Sequence, residues 1–349
     1  MISSHIKPLT GVRFFAALAV VVFHQGERLA QPLVDVPFVR DAISWGHSAV
    51  PFFFILSGFI LSHVYFQKYK FADHGHFMWL RFARLWPVHL AMTAAMVLLA
   101  VVWIAAKGQN PHTDQPFSLL VPDLLMVRSW YDEVLIWNIP AWSIQIEWFA
   151  YLFLFPLCAW IIRPMRNPWM LGLVGATLLA INPLLMPLMP GQIGTILCLF
   201  PAGCALYRLR VVLPNLTFAN AIVWVSLVGS AVTLALNLPY LGYLAFAGII
   251  FGLSYEQGPI ARLLSTHALV YGGNISFSLY MSHHVVNTWT WTLWDKIGTT
   301  GLGPVVVTFA SALLAAALVY HCIEVPANEW LRRRWPAKTE RAEVAPVSA

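Results

Sequence analysis

Long apolar runs, separated by short polar stretches, recur along nearly the whole chain. The first, GVRFFAALAVVVFHQ from Gly11 to Gln25, is almost unbroken hydrocarbon, yet Arg13 sits near its start and His24 near its end. Counted with the residues after it, this run covers about 11–30, and others follow near 46–66, 84–106, 139–162, 168–187, 190–208, 217–237, 239–255, 269–293 and 303–324. Each is close to the twenty or so residues that a bilayer demands of a helix. The pattern predicts an all-α, polytopic integral membrane protein with about ten transmembrane helices. Barrel strands would instead alternate apolar and polar residues over about ten positions, and these runs are continuous and longer.

The breaks between the runs carry an orientation signal. With the N-terminus inside, the cytoplasmic segments hold 16 of the 21 lysines and arginines and the outer segments hold 5. That bias predicts an N-in, C-in topology. The longest loop, about 107–138, then lies outside, and its middle, PFSLLVPDLLMVRSW, is apolar enough to lie at the interface or re-enter the protein. Residues 1–335 read as one membrane domain and 336–349 as a short, disordered cytoplasmic tail.

Composition agrees. Only 10% of residues are charged, against about 25% in a soluble domain, and 59% are apolar. The net charge of +6 is spread over short loops, which makes it an orientation signal and not a nucleic-acid patch. The four cysteines lie in apolar stretches without metal-like spacing, so they read as small buried hydrophobes and no metal site is expected.

Candidate chemistry comes from polar groups inside the runs. An ionisable group in a span costs several kcal/mol unless it faces a cavity or a partner, so it is a functional candidate by default. Arg13 and His24 are eleven residues apart, almost three turns, and share one helix face about 16 Å apart. Depth places His24, Glu147 and the pair His283–His284 in the outer half at a similar level. Arg81 and Arg84, three apart and adjacent on a helix, lie at the inner mouth, where two guanidiniums suit a phosphate or simply obey the positive-inside rule.

Taken in order, the motifs resemble the membrane acyltransferase-3 family of bacterial sugar and polysaccharide O-acyltransferases. LTGVRFFAALAVVVFH is similar to its opening arginine, ten residues and histidine. VPFFFILSGFILS, WLRFARLWPVHL, PAWSIQIEWFAYLFLFPL, GNISFSLYMSHHVV and CIEVPANEWLRR resemble its later elements. Thr10 and Trp148 stand where the family often has acids.

The resemblance implies transfer of an acyl, typically acetyl, group from acyl-coenzyme A to a hydroxyl of a glycan or lipid-linked saccharide at the bacterial inner membrane, with acyl-CoA as a substrate and no permanently bound cofactor. His24 would act as general base, with Glu147 orienting it or holding the acceptor. Arg13, Arg81 and Arg84 would bind the acyl-CoA phosphates. Ser143, Tyr280, Ser278 or His283 would contact substrate or the developing oxyanion. The competing reading is a proton-coupled transporter relaying protons through the same Arg, His and Glu, although the repeated halves common in transporters are not evident.

Overall fold

The computed structural model describes residues 5–26, 28, 43–108, 117–132 and 137–335. The tail at 336–349, with Asp114 and Glu133 of the long loop, lies outside the described residues. Among those described there are helices and turns and no strand.

Over the described residues, each predicted span overlaps helix. The ten long segments are α1 (Lys7–His24), α2 (Ala49–Tyr65), α3 (His74–Lys107), α4 (Ala141–Ile161), α5 (Pro168–Leu185), α6 (Leu199–Val212), α7 (Ala219–Ala235), α8 (Pro239–Leu253), α9 (His267–Ile297) and α10 (Leu302–Arg332). Among the described residues, seven helices, with α2, α3, α5 and α6 counted together with their short flanking turns, are long and apolar enough to cross a membrane. The apolar helices α7 and α8 are shorter, and α9 is long but carries a polar stripe that includes Ser276, His283 and Asn287. The chain is a multi-pass helical membrane protein.

Two boundaries differ from expectation for physical reasons. Helix α1 ends at His24, where Gln25 makes a turn; Gly26 and Arg28 are again helical, and the rest of the expected span to 30 lies outside the described residues. His24 is therefore the last residue of α1 itself. Helix α3 starts ten residues before its apolar run, so Arg81 and Arg84 sit one turn apart on an established helix.

Close approach between helices depends on small residues. A Cβ on Gly58 of α2 would lie 2.0 Å from the carbonyl oxygen of Phe200, and one on Gly203 of α6 would lie 2.0 Å from that of Ile55. The two helices thus bring backbone against backbone at two reciprocal glycines. Helix α1 packs along α9, which brings His24 against His283.

Helices α4 and α10 are each interrupted by a π-turn, at Ala150–Leu154 and Tyr320–Glu324. In both, a proline follows two residues later, Pro156 and Pro326. A proline cannot donate to the carbonyl four residues back and its ring clashes with it; one extra residue in the turn relieves both. Glu147 precedes the first π-turn and Glu324 closes the second.

The segment 117–132 folds into the protein, burying Asp123, Met126, Arg128 and Ser129. Gln145 of α4, fully buried, is its anchor. Its amide donates to the Asp123 carboxylate, its side-chain oxygen accepts from the Ser129 N–H (2.9 Å), and its backbone carbonyl accepts from the Trp130 indole (2.8 Å). His89 of α3 donates to the Asp123 carbonyl (2.9 Å). Two residues along a helix is more than half a turn, so fixing Gln145 to the loop turns Ser143 and Glu147 the opposite way.

Asp123 leads to a pH prediction. Burial pushes its carboxyl above the ordinary range, against the opposing influence of His89 and Gln145, and its second oxygen has no hydrogen-bond partner. A value raised by folding means that the stability it confers at low pH is lost as pH rises through the folded value. The wild-type unfolding midpoint in detergent is expected to fall as pH rises from about 4, and Asp123→Asn, which keeps an acceptor for Gln145, is expected to flatten that fall. The same slope in both proteins would show that the carboxylate ionises at no cost.

Candidate active site

A cavity of about 170 Å³ opens between α1, α2, α3, α4 and α9. Its polar lining is Arg13, Ser57, Arg81, Arg84, Ser143, Glu147, Tyr151, Ser276 and Tyr280, and its apolar lining includes Phe53, Phe54 and Ile144. Three guanidiniums predicted from sequence therefore share one chamber with the predicted glutamate.

The three cations are held differently. Arg84 forms an ion pair with Glu324, which is fully buried and also accepts a 2.5 Å hydrogen bond from Ser278. Arg81 donates to the Tyr65 hydroxyl (2.8 Å) and lies over the rings of Tyr65 and Phe77, at 5.2 and 5.9 Å; its Nε is buried and without a partner. Arg13 shares the chamber with Glu147, whose charge acts on it. Glu147 accepts from Ser57 at 2.5 Å. Three guanidiniums against two carboxylates leave one positive charge in excess, and Arg81 has only neutral partners among the described residues.

His24 does not line this chamber. Its Nδ1 lies 3.0 Å from the Val20 carbonyl and 3.3 Å from Nε2 of His283, and the two rings are 5.0 Å apart. The His284 ring is 6.4 Å from that of His24. Tyr280 connects the two compartments. Its hydroxyl meets Ser143 at 2.7 Å on the chamber wall, while its ring stands 6.0 Å from His283.

The site residues expected from sequence thus divide. Arg13, Arg81, Arg84, Glu147, Ser143 and Tyr280 converge on the chamber, and half-buried His24 forms a separate pair with buried His283. Depth alone had put Glu147 level with His24, but depth gives no azimuth, and Glu147 turns toward Ser57. Ser278 is fully buried, donates to Glu324 and does not line the chamber. Sequence reasoning passed over Glu324, Ser57 and Tyr151. Glu324 carried the same signal as Glu147, an acid inside an apolar run, but stood at the run's end, where a charge reads as interfacial. Among the described residues, no group of three histidine, cysteine or acidic side chains could hold a metal ion.

Fold and site together define a polytopic helical membrane protein with a cation-rich internal chamber beside a partly buried imidazole pair. The sequence profile of the acyltransferase-3 family, which describes an acyltransferase domain, matches residues 6–321, and the chain belongs to that family. It is 34% identical over 174 residues to Acyltransferase MdmB of Streptomyces mycarofaciens, covering 47% of this chain and 42% of that protein. It is also 38% identical over 90 residues to Protein 2 in picA locus of Rhizobium radiobacter, covering 25% of this chain and 42% of that one. The chain thus spans less than half the length of either relative. No solved structure matches it.

Proposed function

We propose that the protein is an acyl-CoA-dependent O-acyltransferase of the bacterial inner membrane, moving an acetyl group to a hydroxyl of a glycan or lipid-linked saccharide. The observation that carries this reading is the surplus positive charge in the chamber, in a chain of an acyltransferase family. A buried cation without a counter-charge is expensive, and an anionic ligand offsets that cost. The phosphates of coenzyme A are such a ligand, with Arg81 and Arg13 as principal contacts and Arg84 held in place by Glu324.

The thioester arm then runs along the chamber toward Tyr280, whose ring stands beside His283, and its hydrogen-bond partner Ser143. There His24 accepts the proton of the attacking hydroxyl, and the Tyr280 and Ser143 hydroxyls donate to the oxygen that becomes negative. Membership in the family argues against a transporter, as does the ion pairing of Arg84, which removes one member of any proton relay.

The test uses membranes carrying the full chain and its natural acceptor, supplied with radiolabelled acetyl-CoA. Arg81→Ala is expected to raise KM for acetyl-CoA about tenfold, the scale of one charge-assisted contact of roughly 1.4 kcal/mol, and to blunt its salt dependence. An unchanged KM would leave Arg81 as an orientation signal and remove the chamber as the donor site.

A further inference from the structure

The hydrogen bonds around His24 fix more than its position. A carbonyl oxygen only accepts, so the Nδ1 that faces the Val20 carbonyl carries the proton, and Nε2 of a neutral His24 holds the lone pair. The same reasoning applies to His283, whose Nδ1 faces the Leu279 carbonyl at 3.2 Å. Its Nε2 therefore presents a lone pair to the Nδ1–H of His24 at 3.3 Å. With both rings neutral, each proton has an acceptor and no two lone pairs or protons oppose one another. His283 is fully buried on α9, so its ring is held by packing.

We infer that His283 is a positioning residue for His24: it fixes the tautomer and ring orientation that leave Nε2 of His24 free to act as the base. This rests on the proposed role of His24. The arrangement parallels the hydroxyl–imidazole–carboxylate triad, with a neutral imidazole and a backbone carbonyl in place of the carboxylate.

In the transfer step, the acceptor oxygen bonds to the thioester carbon as its proton moves to Nε2 of His24. The Nδ1–H of the resulting imidazolium keeps both acceptors, Val20 and His283, which spreads its charge. Collapse of the tetrahedral species breaks the carbon–sulfur bond, and the Nε2 proton passes to the departing thiolate. A carboxylate in the position of His283 would have to be buried without a counter-ion, at a cost of several kcal/mol. The neighbouring glutamate, Glu147, is instead bonded to Ser57 in the chamber.

The test compares His283→Leu with His283→Gln in the same membrane assay. Leucine removes the acceptor, and kcat is expected to fall about 10–100-fold, the usual loss when a supporting hydrogen bond to a working histidine is removed, with KM for acetyl-CoA unchanged. Glutamine, whose side-chain oxygen reaches the place of Nε2, is expected to recover most of kcat. Equal turnover in the two variants, whether high or low, overturns the inference. If the leucine variant does not accumulate in membranes, His283→Asn replaces it: its shorter side chain cannot reach His24, and turnover equal to that of His283→Gln again overturns the assignment. His24→Ala separates the two readings. Turnover retained in His24→Ala removes the base itself, whereas loss there with wild-type turnover in His283→Leu removes only the role of His283.

Discussion

His24→Ala is expected to bring acetyl transfer from acetyl-CoA down by at least about a hundredfold, the lower end of what a positioned general base contributes. Coenzyme A binding should stay near wild type. The separation follows from the two compartments: His24 is outside the lining of the cation-rich chamber and is linked to it through His283 and Tyr280. Folding should be little affected, because the ring is half-buried at the last position of α1 and its Nδ1 bond returns to its own helix at Val20. The measurements are incorporation of label into the membrane acceptor and the thermal shift produced by coenzyme A. Retained turnover would exclude the imidazole as the base. Lost turnover with lost coenzyme A response would mean that the ring holds the donor and does not take the proton.

Much of this architecture can be read from the sequence because a bilayer leaves few options. Runs of about twenty apolar residues have to be helices when no water is present to satisfy their backbone. Breakers such as Pro168 and Pro239 open helices at their first position, where a missing N–H costs nothing. The same logic picks out Arg13, Arg81, Arg84 and Glu147, since charges within spans must face the interior, and these four do share a chamber.

The choice of partners is not legible in this way. Axial depth follows from residue count, but which neighbour a side chain meets depends on helix rotation and neighbour order. Glu147 therefore bonds Ser57 on α2, although counting put it level with His24 on α1. Helix rotation here is set by features with no apolar signal: the Gln145 anchor to segment 117–132, and the π-turns before Pro156 and Pro326, which shift every later side chain by an extra residue. A π-turn shows in sequence only as a proline within a helix, and Pro87 and Pro183 lie inside α3 and α5 without one.

Glu324→Ala is expected to give the largest loss of stability of any single change in the chamber, about 3–5 kcal/mol, the cost of removing one partner of a buried pair. Three groups depend on this carboxylate. Arg84 would keep its charge without a carboxylate partner, the face of Phe277 lying 5.3 Å away; Ser278 would lose the acceptor for its buried hydroxyl; and the π-turn that ends at Glu324 would face a void. Glu324→Gln should cost less, because the amide oxygen still accepts from Ser278 or Arg84 while only the charge is lost. The double variant Glu324→Leu with Arg84→Met should recover much of the stability, since replacing both charges with apolar groups removes the penalty along with the attraction. The three are distinguished by unfolding midpoints in detergent and by abundance in membranes. If alanine and glutamine variants unfold at the wild-type midpoint, the pair is not bearing on the fold. If the double variant is no better than Glu324→Ala, the loss comes from the cavity and not from the orphaned cation. The double variant, once folded, also separates stability from function: with Arg84 gone the chamber keeps Arg13 and Arg81, so acetyl-CoA should bind more weakly without being excluded.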